Sequence, residues 1–293
     1  MGFYANPLVF GVLAPTHLDR ARGPAAPRPP DAYRVVLVSI DGLGADLVEG
    51  DPPPTLARLA REGLRAARAE TVLPSITLPS HTSMISGVTP DRHGVRWNDY
   101  EPWRRIEATT IFSVCRREGL RCGLFAAKPK FAHLVEYEPG VERYEQSSDA
   151  ADVFAAALSF AEERDPDFLM VHVGEVDWSG HDEGWGSSAQ RQALAYVDLM
   201  LGRFLAALRT QGTGRLALLL TADHGGHGSG HGGDRPEDLR IPWILWGDGI
   251  PAGGVAETVS TIDTGPTILA LLGVDAPRRW QGTARFHPPA PPD

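Results

Sequence analysis

Five short apolar runs recur along the chain, most of them parted by a longer stretch with helical spacing, and this alternation narrows the fold more than any other feature. The runs are RVVLVSID (34–41), LRCGLFAA (120–127), FLMVHVGEVD (168–177), RLALLLTAD (215–223) and IPWILWG (241–247). They are β-branched or Leu-rich and apolar on both faces, as strands buried inside a sheet are. Between them PPTLARLAREG, TIFSVCRREG, DAADVFAAALSFAEER and SAQRQALAYVDLMLGRFLAALRTQG place apolar residues at helical spacing, with Gly at three of the ends. The alternation predicts an α/β fold with a mainly parallel central sheet and helices on both faces.

A chain of 293 residues with a 42% apolar share is expected to form one domain. Its bounds are read as 33–286. Residues 1–32 form an N-terminal extension and linker ending in the Pro/Ala/Arg stretch RARGPAAPRPPDAY, and the Pro-rich HPPAPPD forms a tail at 287–293. The net charge of −9 argues against a surface for duplex nucleic acid or anionic membrane. No apolar run reaches the roughly 18 residues of a membrane span. LVFGVLA (8–14) resembles a short signal-peptide core, but no Lys or Arg precedes it and Pro15 follows it. A cytoplasmic location is therefore the expectation, with a secreted or periplasmic one as the alternative. Cys115 and Cys122 are expected as two buried free thiols.

Asp41, Asp177 and Asp223 each close an apolar run, in SIDGLG, GEVDWSGH and TADHGGHG. In open α/β sheets the crevice at the carboxyl ends of the strands is where ligands bind. Histidines accompany two of these acids: His181 four residues after Asp177, and His224 directly after Asp223, with His231 a little beyond. Carboxylates and imidazoles in such sets coordinate Zn²⁺, and Mn²⁺ accepts the same donors. Asp41, Asp223 and His224 would build one site and Asp177, His181 and His231 a second, a two-metal clamp for displacement at phosphorus. LPSITLPSHTS (73–83) crowds hydroxyls at a helix start. Ser75, Ser80, Thr82 and Ser83 are read as cap and turn residues, and Thr77 as a metal-bound nucleophile. His81 and His93 are read as surface or hydrogen-bonded residues without a catalytic part.

IDGLG, PSITLPSH, HGVRWN, VDWSGH, ADHGGHG, HGGD and STIDTGPTILALLGV, in this order from about residue 34 to residue 282, resemble the alkaline phosphatase superfamily. The closest resemblance is to its nucleotide pyrophosphatase/phosphodiesterase (type I phosphodiesterase) branch. The resemblance implies an alkaline-phosphatase-like domain whose site is either more open than in the nucleotide-cleaving relatives or covered by a small cap region, residues 99–150. It implies Thr77 as the nucleophile of a phosphoenzyme, Asn98 as a donor to the phosphoryl oxygens, and two zinc ions on the ligands grouped above. Because HGGD resembles the family's His-Gly-x-Asp pattern, His231 is preferred over His227 as the last ligand. The implied substrate is a small-molecule phosphate ester, foremost a phosphodiester.

Leu78 stands where nucleotide-cleaving relatives carry an aromatic residue, Ser80 where they carry Asn, and a short spacer separates His224 from His231 where theirs is long. AAKPKFAHL resembles a segment of phosphonoacetate hydrolases in which two lysines bind the substrate carboxylate, which makes Lys128 and Lys130 candidate substrate-binding residues. Hydrolysis of a phosphonate is thus one alternative activity and phosphomonoester hydrolysis another, while a catalytically idle metal-binding protein is the alternative from another class. No Cys/Ser-x-Pro-x-Arg segment is present to support a sulfatase.

Overall fold

A computed structural model describes residues 14–20, 32–211, 214–255 and 257–289. Its strands, in chain order, are β1 (His17–Asp19), β2 (Tyr33–Ile40), β3 (Leu64–Ala66), β4 (Ala69–Glu70), β5 (Cys122–Ala126), β6 (Val141–Gln146), β7 (Phe168–Val173), β8 (Arg215–Thr221), β9 (Arg240–Ile241), β10 (Trp243–Gly247), β11 (Gly253–Val255) and β12 (Val259–Ser260). Nine of them form one sheet in the order β1-β6-β5-β7-β2-β8-β10-β3-β11, and β12-β4-β9 form a small second one. From β6 to β8 every pairing is parallel. β10 turns antiparallel on β8, and β1 antiparallel on β6.

The helices are α1 (Pro54–Glu62), α2 (Thr77–Ser86), α3 (Pro90–His93), α4 (Ile111–Arg117), α5 (Ala150–Arg164), α6 (Glu175–Glu183), α7 (Ser188–Leu208), α8 (Pro236–Leu239) and α9 (Thr264–Leu271). α5 packs on β5 and β7 and against α7, which in turn meets α1 and α6. α2 meets α4 and α9, and α9 lies on β2. All eight residues of β2 are buried, as a strand covered on both faces must be.

The five expected strands form, with trimmed ends. FLMVHVGEVD is the exception: β7 stops at Val173, Gly174 leaves the extended region (φ −115°, ψ −10°), and α6 starts at Glu175. Asp177 therefore sits on the first turn of a helix. VERYEQ, whose charges disguise a strand, forms β6 and pairs parallel to β5. Both strands lie within 99–150, so part of the stretch expected to cap the domain belongs to the central sheet. β1 lies within the stretch read as extension and adds the edge strand beside β6. Residues 8–13 of the apolar LVFGVLA fall outside the described residues. No helix of the described residues is long and apolar enough to cross a membrane. Cys115 and Cys122 are buried and form no disulfide among the described residues.

Candidate metal centre and active site

Parallel pairing brings the carboxyl ends of β2, β5, β7 and β8 to one edge of the sheet. The residues just beyond them are Asp41, Lys128, Asp177 on α6, and Asp223 with His224. Gly42 holds a left-handed conformation (φ +72°), and a Cβ on it would come 2.8 Å from Asp177 Cα. Only glycine lets the β2 and β7 ends approach so closely. Gly42 N–H also donates to Asp223 Oδ1 at 3.2 Å, which binds the β8 end to the same turn.

Three imidazoles converge on Asp177 Oδ1: Nε2 of His181 at 3.5 Å, of His231 at 3.6 Å and of His224 at 3.9 Å. His224 Nε2 also lies 3.4 Å from Asp41 Oδ1 and 3.4 Å from Asp223 Oδ2. Each ring faces a backbone carbonyl through Nδ1, His181 that of Ser229 at 3.0 Å, His224 that of Gly225 at 2.8 Å and His231 that of Ser75 at 2.9 Å. Those bonds put the proton on Nδ1 and turn three Nε2 lone pairs inward, the arrangement that prepares histidine to bind a metal. Asp41 Oδ1, Asp177 Oδ1, Asp223 Oδ2 and His224 Nε2 are buried and accept no hydrogen bond among the described residues. Lone pairs packed against lone pairs repel, so this donor set calls for a cation. Spacings of 3.4–3.9 Å approach the edge of a tetrahedron with bonds of about 2.0–2.1 Å, the zinc range. A divalent metal fits.

Two groups have ligand atoms all within 4.8 Å of one another, Asp177 with His181 and His231, and Asp41 with Asp177 and His224. The structure thus differs from the expected grouping in one respect: Asp177 reaches both groups, because Gly42 brings it against Asp41. Asp223 joins the second group through His224. Trp185 donates from its indole nitrogen to Gly42 O at 3.1 Å and lays its ring against His181 and His231.

The Lys128 ammonium contacts Asp41 Oδ2 at 2.7 Å and Asp177 Oδ2 at 2.6 Å, with Thr77 Oγ1 at 3.5 Å. Burial alone would push the Asp41 carboxyl up, but Lys128 and His172 together outweigh it and hold the group well below the carboxylate range. Burial likewise opposes the charge on Lys128, and Asp41, Asp177 and Asp223 overcome it, raising its pKa. Lys130, two residues on, makes no hydrogen bond or ion pair among the described residues. Burial and the neighbouring Lys128 charge lower it to about 8.

Thr77 stands at the first position of α2, all of whose residues are buried. Ile76 is the cap residue and supplies no side-chain bond. The hydroxyls expected to cap instead make internal bonds: Ser75 to Gly233 O, Ser80 to Asp223 O, Thr82 to Leu78 O, and Ser83 to His93. A fully buried helix has no water to satisfy them, so each must find a partner in the protein. Asn98 Oδ1 accepts Leu78 N–H at 2.9 Å, which leaves the Asn98 amide N–H groups for another acceptor. The Leu78 side chain is wholly buried. His227 turns away from the cluster and pairs with Asp238 at 2.6 Å, so the structure brings His231 rather than His227 to the other ligands.

Two histidines matter that sequence reasoning passed over. His172, inside β7, receives the Ala127 N–H on Nδ1 at 3.2 Å and gives its Nε2 proton to Asp41 Oδ2 at 2.8 Å, fixing that carboxylate. Its signal was a lone imidazole in an otherwise apolar strand. His81, read as a surface or hydrogen-bonded residue, is wholly buried and hydrogen-bonded; its Nδ1 meets Thr77 O at 2.7 Å and its Nε2 meets Ser39 Oγ at 2.8 Å. Burial, against the pull of Asp223, lowers it to about 4 and keeps it neutral. The four-residue step from Thr77 to His81 on one helix face was the readable sign.

Comparison with known proteins places this site in a family. Residues 35–230 match the model of the type I phosphodiesterase/nucleotide pyrophosphatase family, and the chain belongs to it. Human ectonucleotide pyrophosphatase/phosphodiesterase family member 7 is 25% identical over 217 residues, 66% of this chain and 47% of that protein. Human member 1 is 27% identical over 215 residues, 65% of this chain and 23% of that protein. The chain thus spans less than half the length of these two relatives. The fold matches murine ectonucleotide pyrophosphatase/phosphodiesterase 5 with a TM-score of 0.71 at 17% identity, over 83% of this chain and 96% of that one. A 2-O GAG sulfatase matches with a TM-score of 0.70 at 16% identity, over 87% of this chain and 73% of that one. The architecture is therefore alkaline-phosphatase-like. An inactive threonine-to-alanine variant of the murine protein is known in complex with AMP. The relatives' name, with its prefix ecto-, lends no support to the cytoplasmic expectation.

Proposed function

We propose that this chain hydrolyses phosphate esters, small phosphodiesters foremost, with Thr77 as nucleophile and two zinc ions held by Asp41, Asp223 and His224 and by Asp177, His181 and His231. One observation carries the reading: four buried, electron-rich atoms without hydrogen bonds among the described residues face one another, and Lys128, in contact with two of their carboxylates, also reaches the Thr77 hydroxyl. Family membership and the inactive threonine variant of the murine relative support it. Bound there, the ions would supply Lewis-acid charge to the attacking and leaving oxygens. Thr77 Oγ bonds to phosphorus as the leaving alcohol departs, and water then breaks the Thr77 phosphoester and restores the hydroxyl. Asn98, oriented by Leu78 N–H, donates to a non-bridging phosphoryl oxygen. His81 holds the Thr77 carbonyl and with it the start of α2.

The test is a hydrolysis panel of bis-p-nitrophenyl phosphate, p-nitrophenyl phosphate, a nucleotide diester and phosphonoacetate. The diester should lead. Thr77→Ala should abolish turnover and keep the bound metal, Thr77→Ser should keep part of the activity, and Asn98→Ala should lose about a hundredfold. Full activity in Thr77→Ala would show direct attack by water and end the phosphoenzyme reading.

A second reading is favoured by Lys130, whose ammonium makes no hydrogen bond or ion pair among the described residues and feels the charges of Asp41, Asp99 and Asp177, while Lys128 is engaged by Asp41 and Asp177. A substrate with an anion on its leaving group, phosphonoacetate among them, would meet Lys130. Lys130→Ala should then cost such substrates about ten- to a hundredfold in kcat/KM and spare neutral-tailed diesters. An ammonium lowered to about 8 is charged below that pH and neutral above it. The preference for anionic tails should therefore fade as pH rises through 8 in the parent and be absent at every pH in Lys130→Ala. A preference independent of pH would remove Lys130 from substrate recognition.

A further inference from the structure

Lys128 is not a metal ligand by type, yet its ammonium is bound to the carboxylates more closely than any imidazole. It enters from the end of β5, its side chain only 11% exposed, and grips one oxygen of Asp41 and one of Asp177. Of those acids, Asp177 belongs to both ligand groups, with His181 and His231 in one and with Asp41 and His224 in the other. The lysine uses their Oδ2 atoms and leaves both Oδ1 atoms facing the imidazoles. Three buried carboxylates carry three negative charges; Lys128 is the cation in contact with two of them.

We propose that Lys128 is a built-in cation of the metal centre, balancing its buried carboxylates and setting how tightly the divalent ions are held. The inference rests on the two-metal reading above. Ammonium and metal draw on the same carboxylates and repel each other at short range in a site shielded from water. Each therefore weakens the hold of the other, and by linkage the coupling is reciprocal. Without the ammonium, the ions should bind more tightly and the protein stripped of metal should be less stable. With it, the loaded centre carries one more positive charge towards an anionic substrate and exchanges its ions more readily.

The experiment compares parent, Lys128→Met and Lys128→Arg after chelator treatment and dialysis, by calorimetric titration with Zn²⁺ and by thermal melting with and without zinc. Lys128→Met keeps the length and apolar bulk of the side chain but not its charge. It should bind zinc about tenfold or more tightly than the parent. Stripped of zinc, it should melt several degrees below the stripped parent, and the gap should close when zinc is added. Lys128→Arg should stay near the parent in both measurements. If the stripped Met variant does not fold, transfer of zinc from the loaded variant to a competing chelator reads the same affinity. Unchanged or weaker zinc binding in Lys128→Met would overturn the proposal and make the lysine a group that merely orients the carboxylates. An unchanged melting temperature of the stripped variant would overturn it too. A parent that binds no zinc would end the metal reading itself, a failure seen before any variant is compared.

Discussion

The two groups of candidate metal ligands share Asp177 but differ in how the fold holds them. Asp41, Asp223 and His224 are wholly buried, at the ends of β2 and β8 in the middle of the sheet. Asp223 Oδ1 accepts the N–H groups of Gly42 and His224, and Asp41 Oδ2 accepts from His172. His181 and His231 instead hang from α6 and from the loop after β8, and the His181 side chain is 39% exposed. The inner group is part of the core and cannot shift without opening the sheet edge. In the outer group the His231 side chain is 8% exposed and its ring is held on Ser75 O, so His181 is the member that reaches solvent. One fold thus supplies a buried subsite and one that opens to solvent at His181.

The largest break in that contrast comes from the inner group. Asp41→Ala removes a ligand, the acceptor of His172 and one of the two carboxylates on Lys128. Turnover should fall by about a thousandfold or more, several kcal/mol of barrier. Elemental analysis should find the inner ion gone, and zinc should raise the melting temperature much less than it does in the parent. Metal content and turnover near the parent's would show that the buried group is not a metal site at all.

A smaller effect is expected from the outer group. His181→Ala should keep the fold and the inner ion, because no strand end depends on that ring. Outer-site affinity should drop by at least the roughly hundredfold that losing a supporting contact can cost. Raising the zinc concentration should recover part of the activity, which it should not do for Asp41→Ala. In the parent, a chelator should remove the ions in two phases, the outer one first. A single phase, with both variants equally beyond rescue, would mean that the two subsites are one cooperative unit and that the difference in burial has no thermodynamic consequence.

The same contrast explains what could be read from the sequence. Asp41 and Asp223 were legible because each closes an apolar run, and a parallel sheet must bring such ends to one edge. His181 and His231 were legible by chemical type and, for His231, by resemblance. The groups that support them were not. His172 lies in mid-strand, where its neighbours read simply as core, and its bond to Asp41 links residues 131 positions apart. The hydroxyls of α2 looked like cap chemistry, and His81 like a surface or hydrogen-bonded residue, because nothing local announces that a helix so polar is wholly buried. Asp177 read as a strand end since VGEV continues the apolar pattern, whereas Gly174 turns the chain into α6. Sharing of Asp177 between the two groups follows from that turn and from the close approach at Gly42, both tertiary facts.

The smallest effect, and the sharpest test of where the outer group ends, concerns His227. It lies on the same loop as His231 and offers the same ring, but its Nδ1 is held by buried Asp238, whose other oxygen accepts Gly233 N–H at 3.0 Å. Backbone bonds between His227 and Gly230 close the turn in both directions, at 2.9 and 3.0 Å. This pair braces the loop that presents His231, whose own ring is fixed separately on Ser75 O. His227→Ala should therefore cost about 1 kcal/mol of stability, the worth of one hydrogen bond, with both ions retained and turnover close to the parent's. His227→Gln, which can still reach Asp238, should recover most of that stability. Loss of the outer ion in His227→Ala, as complete as in His181→Ala, would make His227 the ligand and His231 the brace. The outer subsite would then have to include Asp238 and the whole turn, and the contrast in burial would have to be redrawn around it.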